Sequence, residues 1–288
     1  MIVLFASRDG FACATCNCGD QTLTASGLEK PYLNRVRLSL DERYGSLSSG
    51  QSDYLEQVTF LRSALSLSWS PWKRVTFLAV LPWMDIWSRV TAQPLQSIHG
   101  LGDLELSLRA VLFQERSFAP HHLLWGSVGL KTPTGYLVHD NGGYAYSDDD
   151  QPGTGSWDPL AGITYGWFSG DWLSAFVSTT GRYTTPGWHG YRRGSFFGAS
   201  AALQVQPKSW FAFSIGADVS WTQADALSNH HAVPNTGGTV LYAAPAILFS
   251  PRTDLLIRAV VDAPVVTAMN GSQTAGTQAS LSVAWDVH

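Results

Sequence analysis

The chain has 288 residues, a formal net charge of -4, 14% charged residues and 12% aromatic residues, among them 12 Trp. An average soluble domain carries about 25% charged residues, so so little charge argues against an ordinary soluble surface. A mean hydropathy of -0.01, with no run near the ~18 to 20 uninterrupted apolar residues of a spanning helix, excludes a helical membrane protein. Lys and Arg are scattered singly, with no basic patch to neutralise phosphates, which argues against a nucleic-acid partner.

The chain opens with a distinct segment, residues 1–30, holding all three cysteines: Cys13, Cys16 and Cys18. Met1 to Ala6 is apolar but too short for the core of an export signal, and Arg8 and Asp9 follow it. Ala12-Cys13-Ala14 nevertheless has the small-x-small form of a cleavage site. The segment is expected to be the remnant of an export signal, a periplasmic segment or a plug. Three closely spaced thiolates can chelate Cu or Zn; a local disulfide with one spare cysteine, or loss of Cys13 with the signal, are the alternatives. No other cofactor is expected.

From residue 31 to 288 the pattern changes to period-two alternation. Over Arg35 to Arg43, Val36, Leu38 and Leu40 share one face and Arg35, Arg37, Ser39 and Asp41 the other. Runs of the same kind follow at Leu61 to Trp69, Val75 to Trp83, Leu104 to Leu112, Leu123 to Lys131, Ala161 to Trp167 and Leu173 to Tyr183. Others follow at Phe197 to Val205, Phe211 to Trp221, Leu241 to Phe249 and Leu255 to Ala263, and the last ends the chain. Their connections alternate. Short links such as Ser70-Pro71-Trp72-Lys73 and Pro207-Lys208-Ser209 are followed by long ones, among them Gly45 to Tyr54, Asp85 to Gly102, Pro133 to Asp158 and Gln223 to Gly237. About twelve strands of about ten residues, with tight turns at one end and long loops at the other, predict an all-β fold. It is a transmembrane antiparallel up-and-down β-barrel in the bacterial cell outer membrane, with both termini on the turn side. Trp69, Trp72, Trp167, Trp172, Trp210 and Trp285 fall beside turns or the C-terminus, and Trp83, Trp87, Trp188 and Trp221 near loops, as two interfacial girdles require.

With lipid outside, the polar face lines the lumen. The candidates are Arg35, Arg37, Asp41, Arg43, Arg62, Asp103, Glu105, Arg109, Asp218, Arg258 and Asp262, with Asp286. They either set the selectivity of a pore or pair internally and hold the barrel closed. G-x-S-x-G, H-E-x-x-H and P-loop patterns are absent, so no enzyme is expected. The function expected is a monomeric channel or transporter, in contact with outer-membrane lipid, for passive uptake of a small-molecule solute. The alternative is an anchor or scaffold whose cysteine segment binds a soft metal or a periplasmic redox partner.

One ordered set of motifs adds a resemblance. Gly100-Leu101-Gly102-Asp103 leads into the strand at Leu104, Gly129-Leu130-Lys131-Thr132-Pro133-Thr134-Gly135 closes the next, and Gln151-Pro152-Gly153-Thr154-Gly155-Ser156-Trp157-Asp158-Pro159 opens the one after. This order resembles the outer-membrane β-barrel transporter family associated with the meta-pathway of phenol degradation. The resemblance implies a barrel and uptake of small solutes, aromatic or hydrophobic ones among them. It implies no particular binding residues, and the cysteine-rich start is not part of its pattern.

Overall fold

The structure, a computed structural model, describes residues 34 to 287 apart from 52–53, 117–119, 140–142, 144, 149 and 171. Cys13, Cys16 and Cys18, with the segment 1–30 that carries them, lie outside the described residues. In chain order the strands are β1 (Arg35–Gln51), β2 (Tyr54–Trp72), β3 (Val75–Val90), β4 (Gln96–Leu101), β5 (Glu105–Gln114), β6 (His122–Lys131), β7 (Asp158–Ser169) and β8 (Leu173–Arg182). After a 3-10 turn at Trp188–Gly190 come β9 (Phe196–Lys208), β10 (Phe211–Thr222), β11 (Gly238–Ala243), β12 (Ala246–Arg252), β13 (Leu255–Met269), β14 (Gln273–Ala275) and β15 (Gln278–Val287). No α-helix occurs among the described residues.

Pairing is antiparallel between neighbours along β1–β2–β3–β5–β6–β7–β8–β9–β10, then through β11 and β12 to β13 and β15. β15 pairs back onto β1, from Val36 opposite Val287 to Tyr44 opposite Ala279, and closes the barrel. Three staves are each split in two, at Gly102-Asp103-Leu104, at Ala244-Pro245 and at Gly276-Thr277, so fifteen segments less three make twelve staves. The break at Pro245 has a local cause, since proline brings no N–H to the ladder. Ala244 still exchanges both backbone bonds with Gly216, at 2.8 and 3.1 Å, so the wall stays shut there.

The expected boundaries fail mainly at the loop end. Residues 45–54 were expected to be a loop, yet β1 and β2 stay paired to Gln51 opposite Tyr54. The upper part of β3, Asp85 to Ser88, pairs with β4 inside what the sequence marks as a long connection. A hairpin ladder is a backbone structure and can outrun the lipid-facing pattern used to delimit it.

Burial fixes which face is which. On β1 and β15 the outward Leu40, Leu281 and Trp285 are 43%, 48% and 50% exposed, whereas the inward Arg37, Ser39 and Ser282 are 5%, 6% and 2%. Outward aromatics cluster at the turn end, where Trp69 stacks on Phe77 at 6.0 Å and Trp210 meets Phe249 edge-on at 5.8 Å. The inner face is not uniformly polar. Toward the turn end it carries the packed group Val111, Leu123, Trp125 and Phe176, with Phe168 edge-on to Phe176 at 5.7 Å. The inward positions of β1, β2 and β3 there, such as Ser66, Ser68, Ser70 and Thr76, are buried too. The lumen is therefore tightly packed toward the turns and opens farther up.

An arginine on the outer face must shed its hydration into hydrocarbon, whereas a small polar change on the inner face need not. Ile215→Arg, at an outward position near mid-height, is expected to destabilise the barrel by about 2 to 4 kcal/mol, and Ser220→Thr by less than about 0.5 kcal/mol. Equilibrium urea unfolding in phospholipid vesicles, followed by tryptophan fluorescence, checks both.

Candidate functional site

Inside the wall, at mid-height, lies a cavity of about 530 Å³. Its lining includes Arg43 from β1, Asp218 from β10, Tyr242 from β11, Arg258 and Asp262 from β13, and Gln278 from β15. Hydroxyls of Ser178, Thr180, Ser200, Ser220 and Ser280 fill the gaps, and Phe196 is the aromatic side chain on the β9 side. The register explains the grouping. Thr164, Ser178, Ser200, Asp218 and Tyr242 stand in one row across β7, β8, β9, β10 and β11, and Asp262 stands opposite Gln278. Strand alternation then aims each polar side chain of the row at the lumen.

The four charges of this cavity make no direct contact with one another. Among the described residues, no side-chain hydrogen bond and no ion pair within 4.0 Å joins Arg43, Asp218, Arg258 or Asp262 to any group. The Arg258 Nε is buried without a partner. The Gln278 amide does donate to the Tyr242 hydroxyl at 3.2 Å, fixing two polar groups of the lining. Arg182 lies with its guanidinium 5.9 Å from the Phe196 ring centre.

The other expected lumen residues behave differently. At the turn end Arg35 and Arg37 each grip Asp286 with two hydrogen bonds of 2.7 to 2.8 Å. Asp41 takes a 2.5 Å bond from Ser282 and lies 3.9 Å from Arg62. Glu105 and Arg109 occupy inward positions of β5, opposite Lys131 and Ser127. Asp103 is not part of the open lining. Its side chain is 2% exposed and sits in the break between β4 and β5.

That break is the hub of a cap at the loop end. Asp103 accepts from the Gly135 amide at 2.9 Å, the Thr154 amide at 2.8 Å, the Thr154 hydroxyl at 2.7 Å and the Lys131 ammonium at 2.8 Å. Lys131 also holds Asp158 at 2.7 Å, and Asp158 accepts from the Thr185 amide at 3.0 Å. Gln151 clamps the same loop by bonding the Val138 amide and carbonyl at 2.8 and 3.0 Å. Arg193, from the connection between β8 and β9, donates to the Gln151 carbonyl at 2.6 Å. Asp225, from the connection between β10 and β11, accepts from Gly194 and Tyr191 at 2.7 and 2.6 Å. Three long connections are thus tied together over the barrel mouth. Trp188 packs over Gly155, whose φ of +65° and whose missing Cβ, which would stand 2.6 Å from the indole nitrogen, both require glycine. Trp188 therefore belongs to the cap and not to an interfacial girdle.

The sequence reading found Asp103 but missed Lys131, Asp158, Tyr242 and Gln278. The signal for the first two was present, because both stand inside the GLKTPTG and QPGTGSWDP motifs. Tyr242 and Gln278 carry no such mark. Among the described residues, no group of three His, Cys, Asp or Glu side chains is arranged to hold a metal ion.

Burial drives the Asp103 carboxyl upward in pKa, but hydrogen bonds from Lys131 and Thr154 and the Lys131 charge outweigh it and hold the carboxyl below its ordinary value. A depressed folded value contributes stability that is present above the unfolded value near about 4 and lost as pH falls through the folded one. Limited proteolysis of loop 132–157 should stay slow down to about pH 4 and accelerate below it. Lys131→Met strands two buried carboxylates, at a cost of about 3 to 5 kcal/mol, and should make the loop labile even at neutral pH. Cleavage that is pH-independent in the native chain and unchanged in the variant contradicts this role for the hub.

No protein-family model matches the chain, and no curated protein matches it. Solved structures do. The chain is similar to the COG4313 outer membrane channel from Pseudomonas putida F1, at 15% identity over 89% of this chain and 96% of that one, with a TM-score of 0.69. It is also similar to the translocator domain of the autotransporter NalP from Neisseria meningitidis, at 10% identity over 88% and 89%, with a TM-score of 0.52. At such identities the likeness is one of fold. The closed antiparallel barrel is the fold shared with these two structures, and the association with phenol degradation rests on the motif order alone.

Proposed function

We propose that this barrel is a passive channel of the bacterial outer membrane for small hydrophilic solutes, working as a single chain surrounded by lipid. The observation that carries the reading is the mid-lumen cavity with its four charges unpaired. A barrel serving only as an anchor gains nothing from isolated charges in its interior, since each is destabilising unless paired or kept hydrated. A water-filled path keeps them hydrated. The packed turn-end half of the lumen makes that path narrow, and the cap screens its other mouth.

The lining also bears on the aromatic or hydrophobic solutes suggested by the motif resemblance. An apolar solute in the cavity would strip water from two carboxylates and two guanidiniums, at several kcal/mol per ion. A polar solute replaces that water with hydrogen bonds. The lining therefore supports polar cargo.

Purified full chain in planar phospholipid bilayers should give discrete, ohmic current steps of small amplitude. Asp218→Asn combined with Asp262→Asn removes both acids of the cavity and should move the reversal potential in a salt gradient severalfold toward anions. A folded barrel that passes no current, or a selectivity untouched by the double substitution, counts against the channel reading.

A further inference from the structure

We infer that the mid-lumen cavity is a binding subsite for small zwitterions, molecules that present an ammonium and a carboxylate together, as short peptides and amino acids do. The inference rests on the channel reading for its physiological role, but the site itself is built from the cavity alone.

Three features of the cavity lead there. Its charges come in equal numbers, two acids (Asp218 and Asp262) and two guanidiniums (Arg43 and Arg258), so its net charge is zero. A site of zero net charge that exposes both signs favours a neutral molecule carrying both over a simple anion or cation, which would meet repulsion along with attraction. Second, the charges are held apart. Asp262 and Arg258 are four residues apart on one strand, about 13 Å along the backbone, and stand opposite Gln278 and Ser282 of the adjoining strand. Arg43 stands opposite Ser280, which itself stands opposite Val260, so a guanidinium is offered at the height between Asp262 and Arg258. Asp218 enters from the far side of Tyr242. The groups attract one another across the cavity, but no hydrogen bond and no ion pair within 4.0 Å joins them. A ligand carboxylate in the cavity makes charge-assisted bonds to the guanidiniums, while its ammonium meets Asp218 or Asp262.

Third, the space suits a molecule of this kind. The volume of about 530 Å³ falls within the ~300 to 1,000 Å³ of small-ligand pockets. The Ser178 and Ser200 hydroxyls bond each other at 2.6 Å, which leaves one hydrogen of the pair, with the Thr180 and Tyr242 hydroxyls, to meet a peptide amide between the two charged ends, and the Phe196 ring gives one apolar surface against which a ligand stem can lie. The strands hold these groups in place before any ligand arrives, so little ordering is required on binding.

Isothermal titration calorimetry on the full chain in non-ionic detergent tests this, with diglycine as the zwitterion, N-acetylglycine as the anion, ethanolamine as the cation and benzyl alcohol as the apolar comparator. The native chain should bind diglycine at millimolar concentration and at least tenfold tighter than any of the other three. Asp218→Asn with Asp262→Asn should weaken diglycine at least tenfold and raise affinity for N-acetylglycine. Arg43→Gln with Arg258→Gln should weaken diglycine similarly and raise affinity for ethanolamine. The opposite drifts in preference are a readout that general damage to the barrel would not produce. Binding of diglycine no tighter than its comparators, or double substitutions that leave the preference unchanged in a barrel still heat-modifiable on gels, overturns the inference. Bilayer current from the same preparation separates the two readings. Current without zwitterion preference leaves the channel and removes the subsite, and zwitterion binding without current does the reverse.

Discussion

The pairing of β15 with β1, from Val36 opposite Val287 to Tyr44 opposite Ala279, closes the sheet on itself. Closure satisfies the backbone of every stave through its neighbours, which is the condition for crossing hydrocarbon with strands. It also divides the side chains. With a two-residue repeat and no free edge, every second residue is committed to the outside and the rest to an enclosed interior. The outer set is Leu, Ile, Phe and Trp, and the inner set holds most of the charge. The breaks in the ladder fall where closure tolerates them, at Pro245, whose neighbour Ala244 keeps both bonds to Gly216, and above mid-height at Asp103 and Gly276.

Charge inside the barrel is then handled in three different ways along its length. At the turn end two guanidiniums share the Asp286 carboxylate. At the loop end one ammonium, Lys131, is shared between the Asp103 and Asp158 carboxylates, and backbone amides of Gly135, Thr154 and Thr185 supply the remaining positive ends. These two clusters fasten structure, the second by anchoring the cap. Between them the cavity charges remain apart. The difference lies in geometry and not in residue type, since Asp and Arg occur in all three places. Paired clusters at both ends thus bracket a cavity whose four charges have no ion-pair partner within 4.0 Å, while Asp41 and Arg62 stand 3.9 Å apart beside it.

Much of this was legible in the sequence. The alternation at Phe211 to Trp221 named the faces of β10, and the alternation of short and long links named the two ends. The twelve-stave count followed from the runs. The pattern failed where backbone pairing continued without it, in the hairpin of β1 and β2 beyond Tyr44 and in β4. It also misjudged the inner face, because Trp125 and Phe176 sit at inward positions. Apolar side chains are as acceptable as polar ones where an interior is packed, so alternation of chemistry there is not obligatory. Which charges pair was out of reach altogether. Arg35 and Asp286 are 251 residues apart, and Lys131 and Asp103 are 28 apart. Their meeting depends on register and on the shear of the whole barrel, to which local patterns are blind.

The central claim is that the polar face of each stave looks into an enclosed, hydrated lumen while the apolar face meets lipid. Nitroxide spin labels placed singly along β10 in phospholipid vesicles, in a background with Cys13, Cys16 and Cys18 replaced, report this residue by residue. Labels at Phe213, Ile215 and Val219 should relax with lipid-dissolved oxygen, and those at Ser214, Asp218 and Ser220 with a water-soluble nickel complex. Alternation of the opposite phase, with the polar positions facing hydrocarbon, or no alternation at all, would contradict the account.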